Sequence, residues 1–343
     1  MYGRYVKRLT VSLDQADLEN RLLAIEALEQ AAKVESRQIL HLKVCFTGEN
    51  PLFYAGQEFI DSLIEFAQPK QNVLRTLTSL DFSQLQVNLN DGLLFGLEYH
   101  YPTLKSLNLQ NKQLVCQISP ECVRNLVENC PQLQDLRVYH SSLDNDVLRA
   151  ISERIARQKL TETAPFKHLS ILCRREEKYK QGDLRADSWL ALSQANSTLE
   201  VTLRFDYSCE LWKLREIMKP EIPVSHLYLE TYTRPLPWLD IASDIYGQRL
   251  KKLVLQSQPS PDLDGALILA AERFSQGPLE SLHVQCPLTN EETLVTLGRL
   301  LPRVFQGSDY TLKTTDRDFF PWAYDRVMDE LKTKTCWPKF FRL

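Results

Sequence analysis

The sequence lacks the features that mark a membrane, secreted or nucleic-acid-binding protein. Its 343 residues contain no apolar run of the kind that crosses a bilayer, the longest being short stretches such as residues 265–271. The residues before Leu9 lack the apolar core of a secretion signal. A total of 41 basic and 44 acidic residues gives a net charge of −3, which does not favour a polyanion or an anionic membrane. We therefore expect no nucleic acid or membrane partner, and a cytoplasmic or nuclear location.

Clustered cysteines are also lacking, although the chain contains eight of them. None forms a CxxC pair, and a zinc site or a disulfide framework would require closer clustering or a secretory context. We expect reduced, mostly buried thiols and no metal site. The eight are Cys45, Cys116, Cys122, Cys130, Cys173, Cys209, Cys286 and Cys336.

Catalytic and nucleotide-binding motifs are missing as well. The sequence has no GxxxxGK[S/T], GxGxxG, GxSxG or HExxH pattern. His140, Asp144 and Asp146 are close in sequence, but Asp144 is better explained as a helix cap. We predict no catalytic residue, no cofactor and no enzymatic activity.

What the chain does contain is a repeated apolar phrase, seen most clearly between residues 104 and 138. Two copies are offset by 29 positions, and a helical pattern lies between them. A strand phrase, a helix and a period of this size are typical of a leucine-rich repeat. The copies are Leu104-x-x-Leu107-x-Leu109 and Leu133-x-x-Leu136-x-Val138.

About ten copies of the phrase follow one another along the chain, in steps of 26 to 38 residues. An eleventh, around Leu312, has lost its flanking leucines. The steps leave room for a helix in each unit. The central residues of the ten phrases are Leu9, Leu42, Leu80, Leu107, Leu136, Leu169, Val201, Leu227, Leu253 and Leu282.

The phrase predicts a stacked architecture. Side chains alternate between the two faces of a strand, and one repeat cannot bury its own apolar face, so neighbouring repeats must stack. The sequence therefore predicts an α/β leucine-rich-repeat solenoid, a horseshoe with a parallel concave sheet of about ten strands and convex helices. Residues 1–312 form the array. Residues 313–343, rich in aromatics, are interpreted as a capping helix and tail, with insertion into a partner as the alternative.

Helical periodicity between the phrases predicts nine helices. Capping residues are expected at Ser119, Asp144, Asp262, and Thr289 with Glu292. The predicted helices span residues 18–34, 53–66, 119–129, 144–155, 187–194, 209–219, 235–246, 262–274 and 289–301.

The residues between the apolar positions should form the concave face, where we predict a protein substrate to bind. This set is polar and mixed in charge, and includes Arg and Tyr, which are favoured at binding hot spots. Its histidines are separated by several strands, so a metal role is not expected. The mixed-charge segment 173–186 is either a contact loop or a solvated loop. The predicted partner-binding residues are His41, Lys43, Asp81, Asn108, Asp135, Arg137, Tyr139, His168, Arg204, His226, Tyr228, Lys252 and His283.

One block resembles a particular class of repeat. Asn129-Cys130-Pro131-Gln132-Leu133 and the turn from Ser142 to Leu148 are similar to the cysteine-containing class, in which a helix ends at Cys-Pro before the next strand. That class is typical of F-box proteins, the substrate receptors of cullin-RING ubiquitin ligases. Residues 3–13 and 48–63 resemble the F-box-only branch of that family, whose repeats are divergent.

The resemblance implies that the chain is the substrate-recognition part of an F-box-type receptor. The F-box is a helical module that precedes the repeats, and no segment of the sequence resembles it. We therefore expect a fragment or isoform without that module, which would bind the ligase adaptor only if an F-box lies upstream. The alternative is a leucine-rich-repeat scaffold or inhibitor unrelated to ubiquitination, although inhibitors of the ribonuclease-inhibitor kind have more uniform repeats.

Overall fold

The structure is a computed structural model, and its described residues fall into two compact units. One unit comprises residues 1–172 and 176–199, and the other comprises residues 173–175 and 200–343. The described ranges are 7–14, 16–33, 39–47, 56–67, 77–98, 102–111, 117–161, 165–174, 184–209, 211–231, 236–257, 260–285, 291–306 and 310–312.

The first unit alternates strands with helices. Each strand pairs in parallel with the next strand along the chain, from β1 to β6. The strands are β1 (Arg8–Asp14), β2 (His41–Thr47), β3 (Ser79–Gln84), β4 (Ser106–Asn108), β5 (Asp135–Tyr139) and β6 (His168–Cys173). The helices are α1 (Leu18–Lys33), α2 (Gln57–Ala67), α3 (Asp91–Gly96), α4 (Pro120–Asn129), α5 (Asn145–Thr161) and α6 (Ala186–Ala195).

The second unit repeats the same plan. Its five strands also pair in parallel and in sequence order. They are β7 (Glu200–Phe205), β8 (Val224–Leu229), β9 (Lys252–Gln256), β10 (Ser281–Gln285) and β11 (Tyr310–Leu312). The helices are α7 (Leu211–Ile217), α8 (Leu236–Tyr246), α9 (Leu263–Phe274), α10 (Glu291–Leu300) and α11 (Pro302–Gln306).

The predicted α/β leucine-rich-repeat fold is confirmed, because all ten predicted strands form and the central apolar residues of paired strands stack in register, with the exception of Val201 in β7. Leu107 pairs with Leu136 in the first unit, and Leu253 pairs with both Leu227 and Leu282 in the second. These side chains are buried. Burial of each leucine against its neighbours above and below supplies the apolar area that a single repeat lacks.

Two helix caps form as predicted and a third does not. The Ser119 hydroxyl accepts the N–H of Cys122 at 3.2 Å, and Asp144 Oδ1 accepts the N–H of Val147 at 2.8 Å. Asp262 makes no capping hydrogen bond from its side chain, because its backbone already lies in the helical region. Thr289 lies outside the described residues.

Two short helices, α3 and α11, were not predicted. Asn90 caps α3 by accepting the N–H of Leu93 at 3.2 Å, and Leu93 and Leu94 are buried. Such short helices have too few residues to display helical periodicity, so the sequence signal was missing.

Two registers differ from the predicted ones. Leu203, rather than Val201, pairs with Leu227, because the ladder shifts between Val201 and Thr202. Likewise Tyr310, rather than Leu312, pairs with Leu282 in the eleventh strand. Each difference amounts to two residues, so the same face of the strand is buried as predicted and only the residues that stand side by side change.

The described cysteines follow the expectation of free thiols. Cys122, Cys130, Cys173 and Cys209 are buried, and Cys45 is half-buried. Burial raises the pKa of the Cys130 thiol, and with help from the nearby Asp91 carboxylate it raises that of Cys122 to about 12. Cys130 is therefore an inert core residue just before β5, as its Cys-Pro context predicts.

None of the helices that the structure describes is both long and apolar enough to cross a bilayer. The described ranges exclude most of the mixed-charge segment, residues 175–183, and all of the predicted cap and tail, residues 313–343. Cys116, Cys286 and Cys336 also lie outside them.

Candidate protein-binding faces of the strands

The predicted binding residues lie on the strand face that is opposite the packed leucines. On β2, Leu42 and Val44 are buried, whereas Lys43 is exposed and His41 is partly exposed. All predicted partner-binding residues except Tyr139 are at least partly exposed in this way. Their exposure is what the structure describes, and their role in binding stays a prediction.

Strand register arranges these residues in rows that cross the strands. In the first unit one row joins His41, Ser79, Ser106, Asp135 and His168, and the next joins Lys43, Asp81, Asn108 and Arg137. In the second unit His226 stands beside Lys252, and a further row contains Arg204, Tyr228, Val254 and His283.

A first polar cluster spans β2, β3 and β4. Lys43 Nζ lies 3.8 Å from Asp81 Oδ2, and Asn108 Nδ2 donates to Asp81 Oδ1 at 3.1 Å. The same Asp81 oxygen accepts the backbone N–H of Ser83 at 3.0 Å. Asp81 is therefore fixed from three directions, and it holds the lysine and the amide on an open surface.

A second cluster is centred on Asp135, between β4 and β6. Its carboxylate accepts from Arg137 Nη2 at 3.0 Å and contacts His168 Nδ1 at 2.9 Å. The Ser106 hydroxyl donates to it at 3.4 Å. Partial burial alone would raise the pKa of Asp135, but the hydrogen bonds and positive charge of His168 and Arg137 outweigh it and hold that pKa below its usual value.

The second unit carries an arginine that is held on two sides. Arg204 Nε lies 2.6 Å from Glu230 Oε2, and its Nη2 donates to Oε1 at 3.2 Å. Its guanidinium also stands 5.5 Å from the centre of the Tyr228 ring. A two-point carboxylate pair and a cation–π contact both orient the arginine, which keeps part of its side chain exposed. The shifted register of β7 is what sets Arg204 beside Tyr228.

The remaining histidines do not come together. His226 Nδ1 lies 2.8 Å from the hydroxyl of its neighbour Ser225, and His283 sits two strands further on. Within the described ranges no three His, Cys, Asp or Glu side chains are grouped in a way that could hold a metal ion.

Tyr139 corrects the sequence prediction, because it is buried with 1% of its surface exposed. Its hydroxyl accepts the N–H of Asn111 at 2.9 Å and donates to Asn111 Oδ1 at 2.6 Å. Asn111 Nδ2 in turn donates to the carbonyl of Val87 at 2.6 Å. β5 ends at Tyr139, and the chain turns there into a short 3-10 helix, so the ring packs inward instead of facing solvent.

The sequence did not predict the hydrogen bonds that Gln110 makes to neighbouring strands. From the end of β4 its Nε2 atom reaches the carbonyl of Val138 at 3.0 Å and the carbonyl of Ser170 at 2.9 Å. Ser170, on β6, is consequently buried. A neutral amide gives no signal in the sequence, since nothing in the pattern says which strand it will reach.

Two exposed aromatic side chains follow β7 and were also missed. Tyr207 is 66% exposed and Trp212, in α7, is 56% exposed. Lys213 Nζ stands 5.9 Å from the Trp212 ring and donates to the carbonyl of Arg174 at 3.1 Å. Large aromatics at the surface are favoured at binding hot spots. Tyr207 lies in the turn after β7 and Trp212 in the first turn of α7, and this position at the end of a strand was the available signal.

The fold and these faces define a leucine-rich-repeat protein whose strands present charged and aromatic side chains on their open side. No protein-family model matches the sequence. The chain is similar to F-box/LRR-repeat protein 8 from Homo sapiens, with 26% identity over 318 residues, which cover 93% of this chain and 80% of that protein.

Proteins of the same name from two other mammals show the same likeness. The one from Bos taurus is 29% identical over 275 residues, covering 80% of this chain and 69% of its own. The one from Mus musculus is 27% identical over 318 residues, covering 93% and 80%. These similarities support a relationship to F-box/LRR-repeat proteins. The narrower resemblance to the F-box-only branch stays a prediction.

Proposed function

We propose that this chain is a protein-binding module that recognises substrates for an F-box-type cullin-RING ubiquitin ligase. The supporting observation is that both units hold charged side chains in fixed positions on the open strand face, and that the second unit also presents Tyr228 there. The similarity to proteins whose names combine an F-box with leucine-rich repeats supports the connection to ubiquitin ligases.

The geometry of the face suits recognition of a folded or extended protein surface. Arg137 and Arg204 are each held by a carboxylate, so less side-chain entropy is lost when a partner binds. Each guanidinium keeps further N–H donors for carboxylates or carbonyl oxygens of a partner. The rows also carry Lys43 and Asp81, so the expected partner surface has both signs of charge.

The same geometry favours binding over catalysis. A general acid needs a raised pKa near the working pH, whereas Asp135 has a lowered pKa and stays ionised. Its hydrogen bonds are used to hold Arg137 and His168 in place.

The test is capture of proteins from cell extract by the tagged chain, read by quantitative mass spectrometry. The double variant Arg137→Glu, Tyr228→Ala should lose the proteins that wild type enriches, because it reverses a charge in one unit and removes the arginine's ring support in the other. Arg149→Glu is the matched control, since Arg149 is an exposed arginine on α5 that pairs with Asp146 at 2.7 Å. Thermal melting should be the same for all three proteins.

Two results would count against the proposal. If the double variant captures the same proteins as wild type, the strand faces are not the binding surface. If the captured proteins do not accumulate when cullin-RING ligases are inhibited in cells, the alternative of a scaffold or inhibitor is favoured. We expect accumulation, and loss of binding only in the double variant.

A further inference from the structure

Strand β1 is a long and regular edge. It pairs with β2 over all seven of its residues without a register shift, whereas the β2–β3 ladder shifts after Lys43. Among the described strands none lies on its other side. Proteins usually protect such an edge with charged side chains, proline, a bulge or a very short strand. In β1 the charged residues Arg8 and Asp14 lie only at the two ends of the strand, which contains no proline or bulge.

The backbone groups that face the open edge can be assigned. The carbonyl of Lys7 accepts the N–H groups of Leu40 and His41 at 2.8 and 3.0 Å, so Lys7 faces β2. Because backbone groups alternate along a strand, Leu9, Val11 and Leu13 also face β2. The N–H and C=O groups at the intervening positions, which are Arg8, Thr10, Ser12 and Asp14, therefore point to the open edge.

In the sequence of β1, RLTVSLD, residues at equal distances on either side of Val11 are complementary or alike: both are charged, both are leucine, or both carry a hydroxyl. If a second copy of β1 runs antiparallel with Val11 opposite Val11, then Arg8 stands opposite Asp14 and Leu9 opposite Leu13. Thr10 then stands opposite Ser12. In this register the residues with open backbone groups face one another, and each such pair forms two hydrogen bonds.

We propose that β1 is a self-association surface on which a second copy of this chain pairs in that antiparallel register. The contact is isologous, so each Arg8–Asp14 pair occurs twice. Opposite charges and hydroxyls directly across an antiparallel ladder stabilise it, whereas like charges destabilise it. Arg8 is exposed and Asp14 is partly exposed, so both are available to a second chain.

The partial exposure of Leu9 supports a contact on this side. The equivalent Leu42, one repeat on, is 3% exposed, whereas Leu9 remains partly exposed. A second β1 would bring the partner's leucine at position 13 across from Leu9 and cover it, as the next repeat covers Leu42. This inference does not depend on the proposed role in ubiquitination.

The experiment is sedimentation velocity of the full chain over a range of concentrations. Wild type should be a reversible dimer. Arg8→Glu and Asp14→Arg should each weaken dimerisation by roughly tenfold or more, since each turns two attractive cross-strand pairs into two repulsive ones. An equimolar mixture of the two variants should dimerise again, because the introduced carboxylate then faces the introduced guanidinium.

A second pair of variants separates association from folding, which matters because Asp14 Oδ1 also accepts the N–H of Ala16 at 2.9 Å. Thr10→Pro removes a donor at the open edge and leaves the β2 ladder intact. It should be monomeric with an unchanged circular dichroism spectrum, whereas Thr10→Ala should dimerise. A wild type that is monomeric at every concentration, or a mixture that fails to recover, would overturn the proposal.

Discussion

At the scale of single residues, Asp135 shows how the open face is organised. One carboxylate receives Arg137 from its own strand, His168 from the next strand and Ser106 from the previous one. It is thus the point at which three repeats meet on the surface. An ionised carboxylate gives stronger hydrogen bonds than a neutral acceptor, so its charge state controls the whole cluster.

Replacing Asp135 by Asn should lower the free energy of unfolding at pH 7 by about 1 kcal/mol, since charge-assisted hydrogen bonds are lost. The folded pKa of Asp135 is lowered, so its contribution is complete above the unfolded value of about 3.9 and is lost as pH falls through the folded pKa. The difference between wild type and variant, measured by urea denaturation, should shrink from pH 7 to pH 3. A difference that is constant with pH would contradict this assignment.

Tyr139 is a structural residue rather than a surface one. Tyr139→Phe removes the hydroxyl that accepts the N–H of Asn111 and leaves that buried group without it. We expect a loss of about 1–3 kcal/mol in the free energy of unfolding, measured by urea denaturation. Tyr228→Phe is the matched control on the open face and should cost less than about 0.5 kcal/mol. Equal losses in the two variants would show that the buried hydroxyl of Tyr139 does not stabilise the fold more than the exposed hydroxyl of Tyr228.

At the scale of elements, side chains of α5 form hydrogen bonds to the turns that lead into β5 and β6. Arg154 donates to the carbonyl oxygens of Leu133 and of Pro131, and its guanidinium lies 5.4 Å from the centre of the Phe166 ring. Gln158 donates to Pro131 at 3.2 Å and accepts the N–H of Phe166 at 3.2 Å. Burial lowers the pKa of Arg154 to about 10, so it remains charged at neutral pH.

Arg154→Met keeps much of the side-chain volume but removes the donor to the buried carbonyl of Leu133, whereas the carbonyl of Pro131 still accepts from Gln158. We expect a loss of about 2 kcal/mol in the free energy of unfolding, because unpaired buried acceptors are costly. Arg149→Met, on the exposed face of the same helix, should change it by less than about 0.5 kcal/mol. Chemical denaturation monitored by circular dichroism gives both values, and similar losses would contradict a specific role for Arg154.

How far the sequence predicted these elements depends on their length. Long helices such as α1 and α9 show several turns of periodicity, so their limits came within a few residues of the observed ones. The six residues of α3 show too little periodicity, and the shift at Val201 in β7 leaves no trace in the alternation of side chains. Strand existence was predictable because every repeat must bury the same leucines.

At the scale of the whole molecule, the repeat pattern predicts which face of each strand is open but not what covers it. Because side chains alternate along a strand, Arg137 and Tyr139 are both predicted on the open face of β5, yet Arg137 is exposed and Tyr139 is buried. The difference comes from where β5 ends and from Asn111 in the previous repeat, which is a tertiary contact. The choice of partner likewise depends on rows of side chains, and the strand register determines which side chains share a row.

The amide of Gln110 has a consequence for how the first unit comes apart. In a solenoid each repeat contacts its immediate neighbours, so unfolding can in principle proceed one repeat at a time. Gln110 bonds from the fourth repeat to Ser170 in the sixth and also to Val138 in the fifth. Neither the fourth nor the sixth repeat can unfold without breaking the hydrogen bond that joins them across the fifth. These hydrogen bonds therefore couple the unfolding of the fourth and sixth repeats beyond the nearest-neighbour contacts of the stack.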